Sequence, residues 1–79
     1  QIGCATSTDG VTWERLFHDP FLPAGEPLSW NACESGHPYI FVDDDERTYL
    51  FYQGNNDLGR TWYISWREIV WSDGYPYLV

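Results

Sequence analysis

Tyr39-Ile40-Phe41-Val42-Asp43-Asp44-Asp45-Glu46-Arg47-Thr48-Tyr49-Leu50-Phe51-Tyr52-Gln53 is the stretch that settles the class of fold. Two runs of β-branched and aromatic residues flank a short acidic segment, which reads as strand, turn and partner strand. Downstream, Asn55 to Gly59 is a second turn, and Trp62-Tyr63-Ile64-Ser65-Trp66 alternates sides in a run that continues through Ile69-Val70-Trp71. Ser72-Asp73-Gly74 turns again, and Tyr75 to Val79 is a last strand. Upstream, Pro20, Pro23, Gly25 and Pro27 make the chain from His18 to Asn31 a connection. Before it, Gln1 to Ser7 and Val11 to Phe17 read as strands joined at Asp9-Gly10, a strong hairpin dipeptide. No segment sustains helical spacing. The chain is expected to be all-β.

Composition narrows the partners. Aromatic residues make up 19% of the 79 residues, including five Trp and six Tyr, a density that suits a sheet core or a surface that stacks on flat rings. Twelve acidic residues face four Arg and no Lys, for a net charge of -8. A nucleic acid would be repelled, because affinity for it rests on neutralising phosphates. An anionic membrane surface is disfavoured for the same reason, and no apolar run approaches the roughly 20 residues that span a bilayer. A neutral ligand such as a glycan is left standing. No signal peptide is visible, the chain opens on Gln1 rather than Met, and it ends at Val79 inside a strand, so a piece of something longer is expected. Cys4 and Cys33 permit one disulfide, but spacing alone decides neither pairing nor redox compartment. A chain of this length holds one small domain of marginal stability.

A repeat is suggested by Asp9-Gly10 and Asp73-Gly74, each lying between two strands. The interval between them fits a four-stranded propeller blade with generous loops.

Three stretches, taken in order, resemble the five-bladed β-propellers of glycoside hydrolase family 43. Ile2-Gly3-Cys4-Ala5-Thr6-Ser7-Thr8-Asp9-Gly10-Val11-Thr12-Trp13 is similar to the run that closes many blades there. Ser35-Gly36-His37-Pro38-Tyr39-Ile40-Phe41-Val42-Asp43-Asp44-Asp45, with Tyr49-Leu50-Phe51-Tyr52, resembles the opening of the final blade. Arg67-Glu68-Ile69-Val70-Trp71-Ser72-Asp73-Gly74-Tyr75-Pro76 looks like the segment that ends the catalytic domain of arabinanase-like and xylosidase-like members. The resemblance implies a fragment of a propeller made of antiparallel four-stranded blades. Residues 1–17 would be the outer strands of one blade, 18–36 a connecting loop and 37–79 the following blade, all within a single small domain. It implies a parent activity of glycosidic-bond hydrolysis with inversion on arabinose- or xylose-type glycans. The general base, the helper Asp and the general acid of the family lie in earlier blades, so this chain lacks them and is not expected to cut a sugar alone. The competing readings are a self-assembling carbohydrate-binding blade and an inactive oligomeric remnant, with a sialidase-like propeller as the rival at the level of fold. If the chain stands alone it should form a homo-oligomer, because a single blade exposes its apolar faces and edges.

The site candidates follow from that frame. His37 is the counterpart of a channel-facing His, placed to touch substrate or, through water, calcium or another ion in a central channel. Glu34 is the one carboxylate near the channel mouth and the only catalytic candidate, although its spacing departs from the family pattern and a solvated loop Glu is the competing reading. Trp30, in the loop just before it, is a candidate sugar platform; the other four Trp read as core between blades. Asp43-Asp44-Asp45-Glu46 lacks the alternation and central Gly of a calcium loop and reads as a turn, with Glu46 standing where the family has Gly. Asn55-Asn56-Asp57-Leu58-Gly59-Arg60-Thr61-Trp62 fits the Asp-box of sialidases and other propellers, with Asp57 accepting from a tight turn and Gly59 supplying positive φ. Asp9 with Trp13 is a shorter variant of it. Asp9, Asp57, Gly59 and Asp73 are therefore assigned to structural turns.

Overall fold

The computed structural model describes Gln1 to Val79. The chain is all-β, and no helix in it is long and apolar enough to cross a membrane. Six strands form two antiparallel sheets. The small sheet pairs β1 (Ala5–Thr6) with β2 (Glu14–Arg15). The large sheet runs in chain order through β3 (Glu34–Val42), β4 (Thr48–Asn55), β5 (Tyr63–Ser72) and β6 (Tyr75–Leu78). Such an up-and-down order needs only hairpin connections, which the turn residues supply.

Each turn has its own chemistry. Ser72 pairs directly with Tyr75, leaving a two-residue loop in which Asp73 (φ 51°) and Gly74 (φ 82°) both take positive φ. That is the primed turn whose twist matches its strands. Between β3 and β4, Asp43 and Arg47 are joined by a backbone hydrogen bond of 2.9 Å around Asp44, Asp45 and Glu46. Glu46 sits at φ 67°, the left-handed position that glycine fills most easily. A left-handed L-residue costs roughly 1–2 kcal/mol, of which glycine's extra chain entropy returns about half. Glu46→Gly is therefore expected to stabilise the fold by about 0.5–1 kcal/mol, read as a higher urea midpoint at unchanged slope. A lower midpoint would show that Glu46 makes some compensating contact.

The third turn type occurs twice, and it corrects the apparent repeat. Asp57 Oδ1 accepts from the backbone N–H of Arg60 (3.1 Å) and Thr61 (3.0 Å), while Asn55 Oδ1 accepts from Gly59 N–H at 3.0 Å. In the first hairpin, Asp9 Oδ1 accepts from Val11 (2.8 Å) and Thr12 (2.9 Å), and Ser7 Oγ accepts from Gly10 N–H at 2.8 Å. Ser7, Asp9, Gly10, Thr12 and Trp13 thus stand where Asn55, Asp57, Gly59, Thr61 and Trp62 stand. The physical partner of the Asp9-Gly10 turn is the Asn55–Trp62 turn, and not Asp73-Gly74. The same bonds explain why the expected Val11–Phe17 strand shrinks to Glu14–Arg15. Its first amides are drawn to a carboxylate and are lost to the ladder.

These bonds also set a pH dependence. The N–H groups of Thr12 and Val11, with the Ser7 hydroxyl, hold Asp9 below the ordinary 3.8, and the N–H of Thr61 foremost does the same for Asp57. A depressed folded value means the contribution is present above the unfolded value and lost as pH falls through the folded one. Stability is expected to decline below about pH 4, the range in which unfolded aspartates take up protons. An Asp9→Asn, Asp57→Asn double variant keeps both acceptors but should show a flatter acid limb in chemical denaturation. An unchanged limb would remove these turns from the acid response.

The large sheet has two unequal faces. Leu50, Tyr52 and Ile69 point to one of them and meet Ile2 and Leu22, which bridge each other outside the strands. Phe21, Trp30 and Leu78 pack around that cluster. The opposite face carries Tyr39, Phe41, Phe51 and Trp66, as the pairs Tyr39 with Phe51 and Phe51 with Trp66 dictate. Only 11 of 79 residues are buried, and the Cα radius of gyration is 13.8 Å against about 12 Å for a compact chain of this length. The large sheet is covered on one side only, and there in part, since Ile40, Val42 and Trp71 stay exposed on that side. Trp13, Trp62, Trp66 and Trp71 are accordingly exposed, and the core packing expected of them is not supplied within this chain.

Candidate functional site

The boundary between connection and strand falls earlier than residue 37. β3 begins at Glu34, so Glu34, Ser35 and Gly36 belong to the sheet and the connecting loop ends at Cys33. A buried polar lock explains this. Ser35 is fully buried and its Oγ accepts from Asn31 Nδ2 at 2.9 Å; Asn31 Oδ1 lies 3.2 Å from the Ser29 hydroxyl, and Cys33 N–H donates to the Asn55 carbonyl at 2.9 Å. No buried side-chain polar atom is left without a partner. Asn31, Ser35 and Asn55 are the buried polar residues of the chain, and together they clamp the end of the loop to the end of β4.

Immediately past this lock the pairing slips. A register shift between Gly36 and Tyr39 bulges β3, and the bulge holds His37 at φ 49°. A left-handed histidine directly before a proline is disfavoured, and such conformations persist where surrounding contacts over-determine them. Here the contacts are visible. The His37 Nδ1 lies 2.9 Å from Gln53 Oε1, and its ring stands 6.1 Å from the Trp62 indole. With Nδ1–H donating to the amide, Nε2 is turned into an acceptor for a ligand. The Glu34 carboxylate folds along the backbone: a Cβ built on Gly36 would meet its Oε1 at 2.9 Å. Glu34, His37, Gln53 and Trp62 thus surround Gly36 at one end of the uncovered sheet face. The set is a rim on open surface rather than a closed cavity, with His37 and Trp62 exposed and Glu34 half-buried.

The structure divides the residues singled out from the sequence. It sets Glu34 and His37 beside Gly36 at the start of β3. Trp30 goes to the opposite face, where its ring packs 5.8 Å from Tyr52 and 6.4 Å from Tyr63. The aromatic surface beside His37 is instead Trp62, and the fixing amide is Gln53. Neither was identifiable from the sequence as a partner of His37, since strand pairing alone places Gln53 opposite Gly36. The acidic turn is self-satisfied: Asp43 Oδ1 accepts from Asp44 N–H, Asp45 Oδ1 accepts from Arg47 N–H, and Asp45 pairs with the Arg47 guanidinium at 3.4 Å. No three His, Cys, Asp or Glu side chains gather in a metal-binding group. Cys4 and Cys33 are both free thiols.

Another hollow lies elsewhere. About 530 Å³ in volume, it is lined by Leu16, Phe17, Phe21 and Tyr77 with His18 and Asp19 at its wall. His18 and Asp19 are exposed and make no side-chain hydrogen bond, so nothing there orients a group for chemistry. The rim around Gly36 is the better-organised site.

No family model matches the chain, and no solved structure matches it. It is similar to two uncharacterized proteins of Mycobacterium tuberculosis, from strains CDC 1551 / Oshkosh and H37Rv, at 36% identity over 61 residues in each case. The match takes in 77% of this chain and 19% of each relative. The chain spans about a fifth of the length of the curated relatives it matches.

Proposed function

We propose that this chain is a blade-type sheet of a carbohydrate-active β-propeller similar to glycoside hydrolase family 43, and that the rim of Glu34, His37, Gln53 and Trp62 contacts a neutral glycan. The observation that carries the reading is the strained His37, held at φ 49° by Gln53 and flanked by Trp62. An imidazole acceptor, an amide and a carboxylate are the groups that bind sugar hydroxyls, and an exposed indole offers a flat apolar surface to a pyranose or furanose ring. A charge of -8 without lysine favours a neutral saccharide over an anionic one. The four-stranded antiparallel sheet in chain order supports the blade reading, since propeller blades are sheets of four strands.

Catalysis is a separate matter. Inverting hydrolysis needs an acid and a base roughly 6.5–9.5 Å apart with a water between them. Glu34 is the one carboxylate of the rim, so the reading assigns this chain binding and leaves cleavage to residues supplied by further blades.

The test is titration of the chain with arabinose- and xylose-type oligosaccharides, followed by NMR or calorimetry. Saturable binding is expected, weakened about tenfold or more by His37→Ala and by Trp62→Ala, which corresponds to about 1.4 kcal/mol. Trp30→Phe, on the other face, should leave affinity unchanged. Binding that ignores His37 and Trp62, or no binding to any member of the panel, would remove the rim from the reading.

A further inference from the structure

We propose that the uncovered aromatic face of the large sheet is an association surface, and that a second copy of this chain covers it, the two sheets packing face to face about a two-fold axis. The inference stands independently of the glycan reading. Tyr39 (69% exposed), Phe41 (46%), Ile64 (74%), Trp66 (56%), Val70 (41%) and Tyr77 (51%) all project from this one face. At 150–250 Å² for a whole aromatic side chain, they and their half-buried neighbours Tyr49 and Phe51 expose roughly 700 Å² of largely apolar surface. A lone monomer seldom leaves a patch larger than about 300–600 Å² bare, whereas a stable interface takes about 800 Å² from each partner. The area is that of one half of an interface.

Shape and charge select the occupant. The face is already ordered, with Tyr49 edge-on to Trp66 at 5.3 Å and Phe41 edge-on to Phe51 at 6.5 Å. Two such faces can stack about 10 Å apart at the angle usual for aligned sheets, which orders few new side chains. Two carboxylates stand on the face: Glu34 at its rim end, and Glu68, which lies close enough to Arg47 to interact with it. Asp43, Asp44, Asp45 and Asp73 stand in the hairpin turns at the sheet's ends. A basic partner would find only the carboxylates of Glu34 and Glu68 on an otherwise aromatic and aliphatic face, and an anionic membrane would meet a chain of net charge -8. A second copy brings the same net charge, but Asp43, Asp44, Asp45 and Asp73 of each chain stay in turns outside the contact, so the repulsion is one that salt can screen.

Sedimentation equilibrium over a concentration series tests this on the 79-residue chain. The expected species has a mass of about 18 kDa, twice the 9.2 kDa of one chain. Added salt should strengthen it, because screening relieves the repulsion between two like-charged copies. Trp66→Lys and Tyr39→Lys should each weaken association tenfold or more while the far-UV circular dichroism stays that of the parent. Should Trp66→Lys fail to fold, Tyr39→Lys on outermost strand β3 decides the question. Trp71→Lys is the control, since its side chain points to the opposite face and should leave the dimer intact. A strict monomer at the highest concentration, particles larger than a dimer, a dimer dissolved by salt, one that survives both lysine variants, or one lost in Trp71→Lys would each overturn the proposal.

Discussion

Leu50→Ala is expected to remove about 2–5 kcal/mol of stability, half or more of what a fold this small has at room temperature. Leu50 is 2% exposed and sits at the centre of a cluster that contains only four other buried hydrophobic residues, Ile2, Leu22, Tyr52 and Ile69. Truncating a buried leucine removes its transfer free energy and leaves a cavity, together about 2–5 kcal/mol. A domain of this size has roughly 4–12 kcal/mol in all, and one with a single covered sheet face belongs at the low end of that range. Loss of Leu50 also acts across the fold. It stands on β4, between β3 and β5, and its side chain is where the Ile2–Leu22 bridge meets the sheet. Removing it detaches the N-terminal segment as well as loosening the strands. The measurement is urea denaturation followed by circular dichroism at fixed protein concentration, so that any association contributes equally to both proteins. Val11→Ala is the comparison: Val11 is 82% exposed in the first hairpin loop and should shift stability by less than about 0.5 kcal/mol. If Leu50→Ala unfolds cooperatively within about 1 kcal/mol of the parent, the cluster is not the core.

Strand existence was legible in the sequence because the large sheet is built from neighbouring hairpins. Tyr39–Val42, Thr48–Gln53, Trp62–Trp71 and Tyr75–Val79 are short β-branched and aromatic runs divided by turn residues, and each becomes a strand close to its expected limits, except that β3 starts earlier, at Glu34. Misreadings occur where side chains capture the backbone. The Asp9 carboxylate shortens β2, and the Asn31–Ser35 hydrogen bond draws Glu34 to Gly36 into β3. Letters also misled about repetition: Asp9-Gly10 and Asp73-Gly74 share a dipeptide, but the first is an Asp-capped loop and the second a bare two-residue turn. For the site, Glu34 and His37 stood out because they are close in sequence. Gln53 and Trp62 reach His37 only through strand register and through the bulge, and neither can be read from a linear pattern. Trp30 shows the converse. Proximity in sequence suggested a shared site, yet Glu34 and Trp30 lie on either side of a strand whose successive residues face opposite ways. Which surface stays bare was also legible only in outline. An alternating aromatic strand announces two apolar faces, and the chain decides which one its own N-terminal segment can reach.

Gly54→Ala is expected to damage both fold and rim, and it separates them from ordinary packing. A Cβ on Gly54 would lie 2.6 Å from Asn31 Cβ, 2.7 Å from Trp30 Cζ3 and 2.8 Å from the Glu34 carbonyl oxygen. The last of these is backbone, held by the pairing of Ser35 with Gly54 and Glu34 with Asn55. No rotamer change relieves that contact, so the strands must part or the loop must lift. Overpacking of this kind costs about 1–3 kcal/mol. The movement is directional. Lifting the loop takes Trp30 off Tyr52 and strains the Asn31–Ser35 bond, while parting the strands displaces Glu34 and the bulge that holds His37. Either way the variant should lose stability and change its tryptophan emission together, and it should bind glycan more weakly than its lost stability alone would produce. Gly3→Ala distinguishes this from a general intolerance of added methyl groups. The nearest atom there is the guanidinium of Arg15 at 3.4 Å, the free end of a flexible side chain, and the change should stay within about 0.5 kcal/mol. If Gly54→Ala matched Gly3→Ala in stability and emission, the close seating of Trp30 and Glu34 over β4 would be wrong, and with it the route by which the buried polar lock positions the rim.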